Sequence, residues 1–261
     1  MFTIDHDLHF HSTISSCCHA EDMTPEAIVD REAAKGYKTI CLTNHLWDSA
    51  VPGFSNWYEP QNIPHIEKAL PLPVREGMRF AFGCEVEFCG GEKLSLAKEN
   101  YDRFDFIAVS VNHMHMKGLT RPDGIETAEQ MAELVTRRVE EVMKLPLPWR
   151  RVGMAHLNIH HMFKEGTPAQ VLRLFDKGRW TKIFAELAKR GTGIELNAAA
   201  FVNVGDDLPV HLDFFRLAKE QGCRFYCASD AHKLEALDIS FMQHVVDSLG
   251  LTEQDRYEIP E

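Results

Sequence analysis

The chain has 261 residues, 44% apolar and 26% charged, a composition that belongs to a globular protein and excludes a disordered or fibrous one. No run approaches the ~18 apolar residues of a membrane span, and the opening segment alternates charge and hydrophobe where a secretion signal would be basic and then apolar; a soluble, cytoplasmic protein with no membrane partner is expected. With 28 basic against 39 acidic residues the formal net charge is −11, which argues against a broad surface for nucleic acid.

In chain order, a strand is expected over Thr3–Phe10, followed by a helix capped by Thr24, begun by Pro25 and stopped by Gly36. Strands follow over Thr39–Thr43, Arg79–Glu85 and Phe104–Val111. Ala128, Met131, Ala132, Val135, Val139 and Val142 form the apolar stripe of a helix that Pro146 and Pro148 terminate. Strands over Val152–Ala155 and Gly193–Leu196, a helix from about Pro209 to Gln221 closed by Gly222, and a strand over Arg224–Ala228 complete the series. About seven strand–helix units without linker or repeat predict a parallel sheet buried by helices in a single domain over residues 1–261. The first strand ends in Asp7-Leu8-His9-Phe10-His11 rather than in a glycine-rich nucleotide turn, so the expected fold is a β/α barrel rather than an open doubly wound sheet.

Seven cysteines form an odd set without CxxC spacing, so reduced thiols are expected. The 14 histidines carry more information. Nearly every cluster of histidines and acids sits at the C-terminal end of an expected strand, the face on which barrel enzymes build their sites: His9 and His11, His45, Glu85, His113 and His115, His156, Glu195 and Asn197, and Asp230 and His232. Period-two spacing sends His9 and His11 to the same side of the backbone, where both can meet one ion. A lone histidine at a strand end is ordinarily a hydrogen-bonded structural residue. Many such groups at successive strand ends would leave uncompensated buried charge unless cations were present.

The series His9-x-His11, His19, His45, Glu85, His113, His156 and Asp230-x-His232 resembles the PHP (polymerase and histidinol phosphatase) family of metal-dependent phosphoesterases, in order and over residues 3–235. The opening through Cys17-Cys18-His19 is similar to its histidinol-phosphatase-like branch. The resemblance implies a distorted (β/α)7, TIM-barrel-like fold with two or three divalent ions. It assigns His9, His11, Glu85 and Asp230 to one ion; Glu85, His113 and His156 to a second; and His19, His45 and His232 to a third. His113 is taken as the fourth-strand ligand, with His115 facing substrate. An imidazole-rich, carboxylate-containing set suits zinc, manganese or iron(II).

The activity implied is hydrolysis of a small phosphate monoester, L-histidinol phosphate foremost, in which Glu85 bridges two ions that activate water. Asp230 or His115 would protonate the leaving oxygen. Lys117, Arg121, Lys164 and Lys233 are candidate phosphate clamps, and Trp47–Tyr58, with Phe54 and Trp57, is a candidate aromatic lid or simply core cover. His160 and His161 read as a solvated loop pair, Cys17 and Cys18 as packing, and Glu195 and Asn197 as partners that orient ligands. Alternatives are a nucleotide or oligonucleotide phosphatase or 5′ exonuclease of the same family, a non-catalytic metal-binding module, and an amidohydrolase-like hydrolase. The last would carry a bridging lysine where this chain has Glu85. The pattern carries no signal for oligomeric state.

Overall fold

A computed structural model describes residues 1–158 and 168–261. The first strand, β1 (His6–Phe10), leads through α1 (Pro25–Ala34) to β2 (Thr39–Leu42) and a two-residue β3 (His45–Leu46). There follow α2 (Ile63–Ile66), β4 (Arg79–Glu87), β5 (Phe106–Ser110), α3 (Ala128–Val142) and β6 (Val152–Met154). The chain continues through α4 (Pro168–Arg173), α5 (Lys177–Arg190), β7 (Gly193–Asn197), α6 (Leu208–Glu220), β8 (Arg224–Ala228) and α7 (Met242–Ser248).

The strands pair in parallel in the order β1-β2-β4-β5-β6-β7-β8, with β3 beside the upper half of β4. The result is a nearly closed barrel of seven parallel strands with helices between them. Closure between β8 and β1 mixes backbone and side chains. His11 N donates to Ala231 O (3.0 Å) and Asp230 N to His9 O (2.8 Å) at the top of the seam. Lower down, Asp7 Oδ1 accepts from Ser229 N (3.0 Å) and His6 Nε2 from Cys227 N (2.9 Å).

Local chemistry explains the elements. Thr24 accepts from Ala27 N at the head of α1, Thr127 and Gln130 form a capping box on α3, and Asp176 caps α5. Gly191 ends α5 at φ +74°, in the left-handed region that glycine adopts without strain. Two cores result. Leu8, Cys41, Ala81, Phe106, Ala108, Ala155, Tyr226 and Ala228 fill the barrel interior, with Tyr257 and Ile259 closing it; the larger aliphatic and aromatic set lies between sheet and helices. The interior is tight at Gly153, where a Cβ would lie 2.4 Å from the Phe106 ring and from the Tyr226 hydroxyl. Among the described residues no helix is long and apolar enough to cross a membrane.

Candidate metal centre

The strand period delivers the side chains. Along β4, Phe82, Cys84 and Val86 face the helices while Ala81, Glu85 and Glu87 face the axis. In β1 the register shifts between Asp7 and Phe10, so that Leu8 in the interior and His9 at the mouth both turn inward, and His11 follows at the rim. Asp230 (φ +53°) and His156 (φ +33°) occupy left-handed backbone that only a few non-glycine residues adopt.

Glu85 is 1% exposed and stands at the centre. Its Oε1 lies 2.9 Å from His156 Nε2 and 3.4 Å from His113 Nε2; its Oε2 lies 2.9 Å from His45 Nδ1, 3.4 Å from His9 Nε2 and 3.5 Å from His11 Nε2. Asp230 Oδ1 is 3.2 Å from His11 Nε2 and 3.8 Å from His9 Nε2. One carboxylate oxygen thus serves each side of the mouth, as a bridging ligand requires.

The far side of most rings is tied down. His9 Nδ1 donates to Glu195 Oε1 (2.9 Å), His113 Nδ1 to Glu87 Oε1 (2.5 Å), His156 Nδ1 to Asn112 Oδ1 (2.8 Å) and His232 Nδ1 to the Asp230 carbonyl (2.9 Å). Because Ser15 Oγ donates to Asn44 Oδ1 (3.0 Å), it accepts from His11 Nδ1 (3.3 Å). Each Nε2 of these rings therefore turns a lone pair inward. In their neutral form, lone pairs of His9, His11, His113 and His156 face the lone pairs of Glu85, and a proton or a metal cation between them makes that arrangement favourable. His9 Nε2, His45 Nδ1 and Glu85 Oε2 are buried without a hydrogen-bond partner, so the residues present fit divalent metal.

Burial works to raise the Glu85 pKa, but His45, His9 and His113 outweigh it and hold the carboxyl well below its ordinary range. Burial works to lower His9, yet Glu195, Glu85 and Asp230 hold it well above the usual imidazole value. His11 is driven well down by burial together with the neighbouring His232 and His45. The groups that can hold an ion are His9, His11 and Asp230; Glu85, His113 and His156; and His11, Cys17, His45 and His232.

The expected third-ion ligand His19 is in none of these groups. It is exposed, because the loop after β1 turns twice, with Ser15 N donating to Ser12 O and Cys18 N to Ser15 O. That brings Cys17, expected as packing, to His45 and His232. Burial works to raise the Cys17 thiol, but hydrogen bonds from His232 and His45 prevail and lower it to about 6.

A cavity of about 170 Å³ opens onto the cluster, lined by Cys17, His45, Trp57, Tyr58, His113, His115, Met116, Asp230 and His232. His115 is exposed on its rim, 5.6 Å ring to ring from His113. Among the described residues none of the expected phosphate clamps lines it: Lys117 is exposed and 3.4 Å from Glu126 Oε1, Lys233 is exposed, and Arg121 lies outside the wall. Lys164, His160 and His161 lie outside the described residues. Of the expected lid, Trp47 and Tyr58 are buried, and Trp57, 38% exposed and edge-on to His45, remains at the mouth.

Asn197 Nδ2 donates to Glu195 Oε1 and to Asp230 Oδ2, both at 3.2 Å. The supporting roles of Glu87, Asn112 and Ser15, and the bond from Tyr58 OH to Glu87, were not among the expectations. Glu87 was accessible from the sequence, since period two places it on the face of Glu85.

The model of the PHP domain matches residues 7–199. The chain belongs to the PHP domain family. Among solved structures, this PHP chain is similar to the histidinol phosphate phosphatase HisK of Lactococcus lactis subsp. lactis Il1403, complexed with Zn, L-histidinol and phosphate. The identity is 18% and the TM-score 0.64, with 98% of this chain and 100% of that one covered. It is also similar to the putative histidinol phosphatase HisK of Listeria monocytogenes, at 16% identity and a TM-score of 0.59, with 92% of this chain and 99% of that one covered. These likenesses establish the barrel fold. No curated protein matches the chain.

Proposed function

We propose that residues 1–261 form one metallophosphoesterase domain that hydrolyses a small phosphate monoester, with L-histidinol phosphate as the first candidate. The observation that carries this reading is the convergence of Glu85 and Asp230 with imidazole lone pairs from successive strand ends on one cavity. His9, His11 and Asp230 would hold one divalent cation and Glu85, His113 and His156 a second, with zinc or manganese both suited to the donors. Bound cations supply Lewis acidity toward a phosphoryl oxygen and a lowered pKa for water.

The chain's own groups do the rest. Glu195, Glu87, Asn112 and Ser15 fix the tautomer and angle of the four rings they touch. Among the described residues the cavity wall holds no lysine or arginine, so it leaves the phosphoryl charge to be met by whatever the imidazoles and carboxylates bind. Trp57 and Met116 offer an apolar and aromatic wall to the organic part of the substrate. His115 on the rim, or the Asp230 carboxyl inside it, would give a proton to the leaving oxygen; both line the cavity. The similarity to a HisK structure that holds L-histidinol and phosphate supports the choice of first substrate.

The test is phosphate release from histidinol phosphate, sugar phosphates, nucleoside monophosphates and a short oligonucleotide, with protein whose metal content is known. Strong preference for histidinol phosphate is expected. Preference for the nucleotides would move the substrate within the family, and metal-loaded protein inert on the whole panel would overturn the reading.

A further inference from the structure

The third group of donors differs in kind from the other two. His9, His11 and Asp230, like Glu85, His113 and His156, offer imidazole and carboxylate alone; the group at the cavity mouth includes the Cys17 thiol. Its donor atoms lie within 4.8 Å of one another, near the span of a single tetrahedral ion. The rings of His45 and His232 flank His11 at 4.5 and 4.4 Å. His11 has one inward lone pair, because its Nδ1 is engaged by Ser15, and that Nε2 lies 3.2 Å from Asp230 Oδ1. It therefore belongs with His9 and Asp230. Cys17, His45 and His232 are left as three protein donors whose fourth position opens to the cavity that all three line, the arrangement of a catalytic rather than a structural site.

The loop is built to present this thiol. Cys18 is buried and its Sγ donates to the His232 carbonyl (3.3 Å), which holds the two loops together from the outside. Cys17 faces the opposite way and reaches the imidazoles, while His19 emerges into solvent. Thiolate is a soft ligand that favours zinc and cobalt over manganese.

We propose that Cys17 is a thiolate ligand that, with His45 and His232, holds a third cation at the cavity mouth and restricts that position to thiophilic metals. The inference rests on the metal-loaded barrel mouth proposed above, and its test separates the two. Metal-free protein is reloaded with cobalt(II) or with manganese, and three quantities are read: ions retained per chain, the thiolate-to-cobalt charge-transfer absorption in the near ultraviolet, and the rate of Cys17 alkylation by iodoacetamide, located by mass spectrometry. Cobalt is expected to load one ion more per chain than manganese, to produce the band, and to slow Cys17 alkylation by about tenfold or more. Cys17→Ser should lose the band and that one ion, and His19→Ala should keep both. Cobalt retained without the band, or with Cys17 alkylated as fast as in metal-free protein, overturns the thiolate site alone, and the wild-type protein decides this even if Cys17→Ser folds poorly. Failure of the wild type to retain any cobalt overturns the metal-centre reading as well.

Discussion

Replacing Glu87 by glutamine tests the supporting shell without altering a proposed ligand. The buried carboxylate accepts from Tyr58 OH at 2.6 Å and from His113 Nδ1 at 2.5 Å, while His113 Nε2 faces Glu85. A hydrogen bond to a charged acceptor contributes ~1.5–3 kcal/mol against ~0.5–1.5 for a neutral one. Glu87→Gln should therefore weaken the hold on His113 by about 1–2 kcal/mol, and loss of such an outer carboxylate typically costs about 10–100-fold in metal affinity or activity. Tyr58→Phe removes one donor from the same charged carboxylate and should lower stability by about 1.5–3 kcal/mol while leaving the bond to His113 in place. Competition against a chelator of known affinity measures metal binding; circular dichroism and urea unfolding check that the barrel persists. A folded Glu87→Gln protein with wild-type metal affinity would refute the claim that Glu87 orients His113.

Glu85→Gln removes charge from the carboxylate that faces His113 and His156 with one oxygen and His9, His11 and His45 with the other. Metal analysis should show loss or loosening at both sides of the mouth together with loss of turnover; an active, fully loaded variant would sink the bridging role. Gly153→Ala forces a methyl against Phe106 and Tyr226, and overpacking of about 1–3 kcal/mol should lower the melting temperature by roughly 2–10 °C for a domain of this size. An unchanged melting curve would show that the interior yields more than its packing indicates. Glu32 is buried beside Lys35, and burial lifts its carboxyl from 4.5 to about 7. The folded state thus keeps this proton after the unfolded chain has released it, so stability falls as pH rises from about 4.5 to 7 and levels off above, by an amount on the order of 3 kcal/mol. Glu32→Gln should lack this component, and wild type and variant with parallel urea stabilities from pH 4.5 to 8 would contradict the assignment.

Much of this protein is local in origin. Thr24-Pro25 and Gly36 bound α1 where caps and left-handed stops dictate, and the apolar stripe from Ala128 to Val142 spans α3. Alternation of apolar runs with helices specifies parallel strands, and a strand's period of two puts His9 and His11 on one side and Glu85 on the inward face of β4, while the register shift in β1 turns His9 to the mouth. These features depend on steric and hydrogen-bonding rules that act over a few residues.

The remainder depends on residues distant in sequence meeting in space. Which oxygen of Glu85 faces which ring, the pairing of Glu87 with His113 and of Glu195 with His9, and the closure of β1 on β8 through Asp7 and His6 exist only once seven strands have curled into a barrel. The placement beside His45 and His232 of Cys17 rather than His19 is the clearest case. Both lie in the short loop after β1, and spacing alone cannot say which side chain turns inward; the two tight turns and the Cys18–His232 bond decide it. Sequence determined the chemistry that could assemble, because residue types and periods are local properties. Tertiary structure decided which atoms assembled, because the direction of a side chain in a loop is set by the surfaces it packs against.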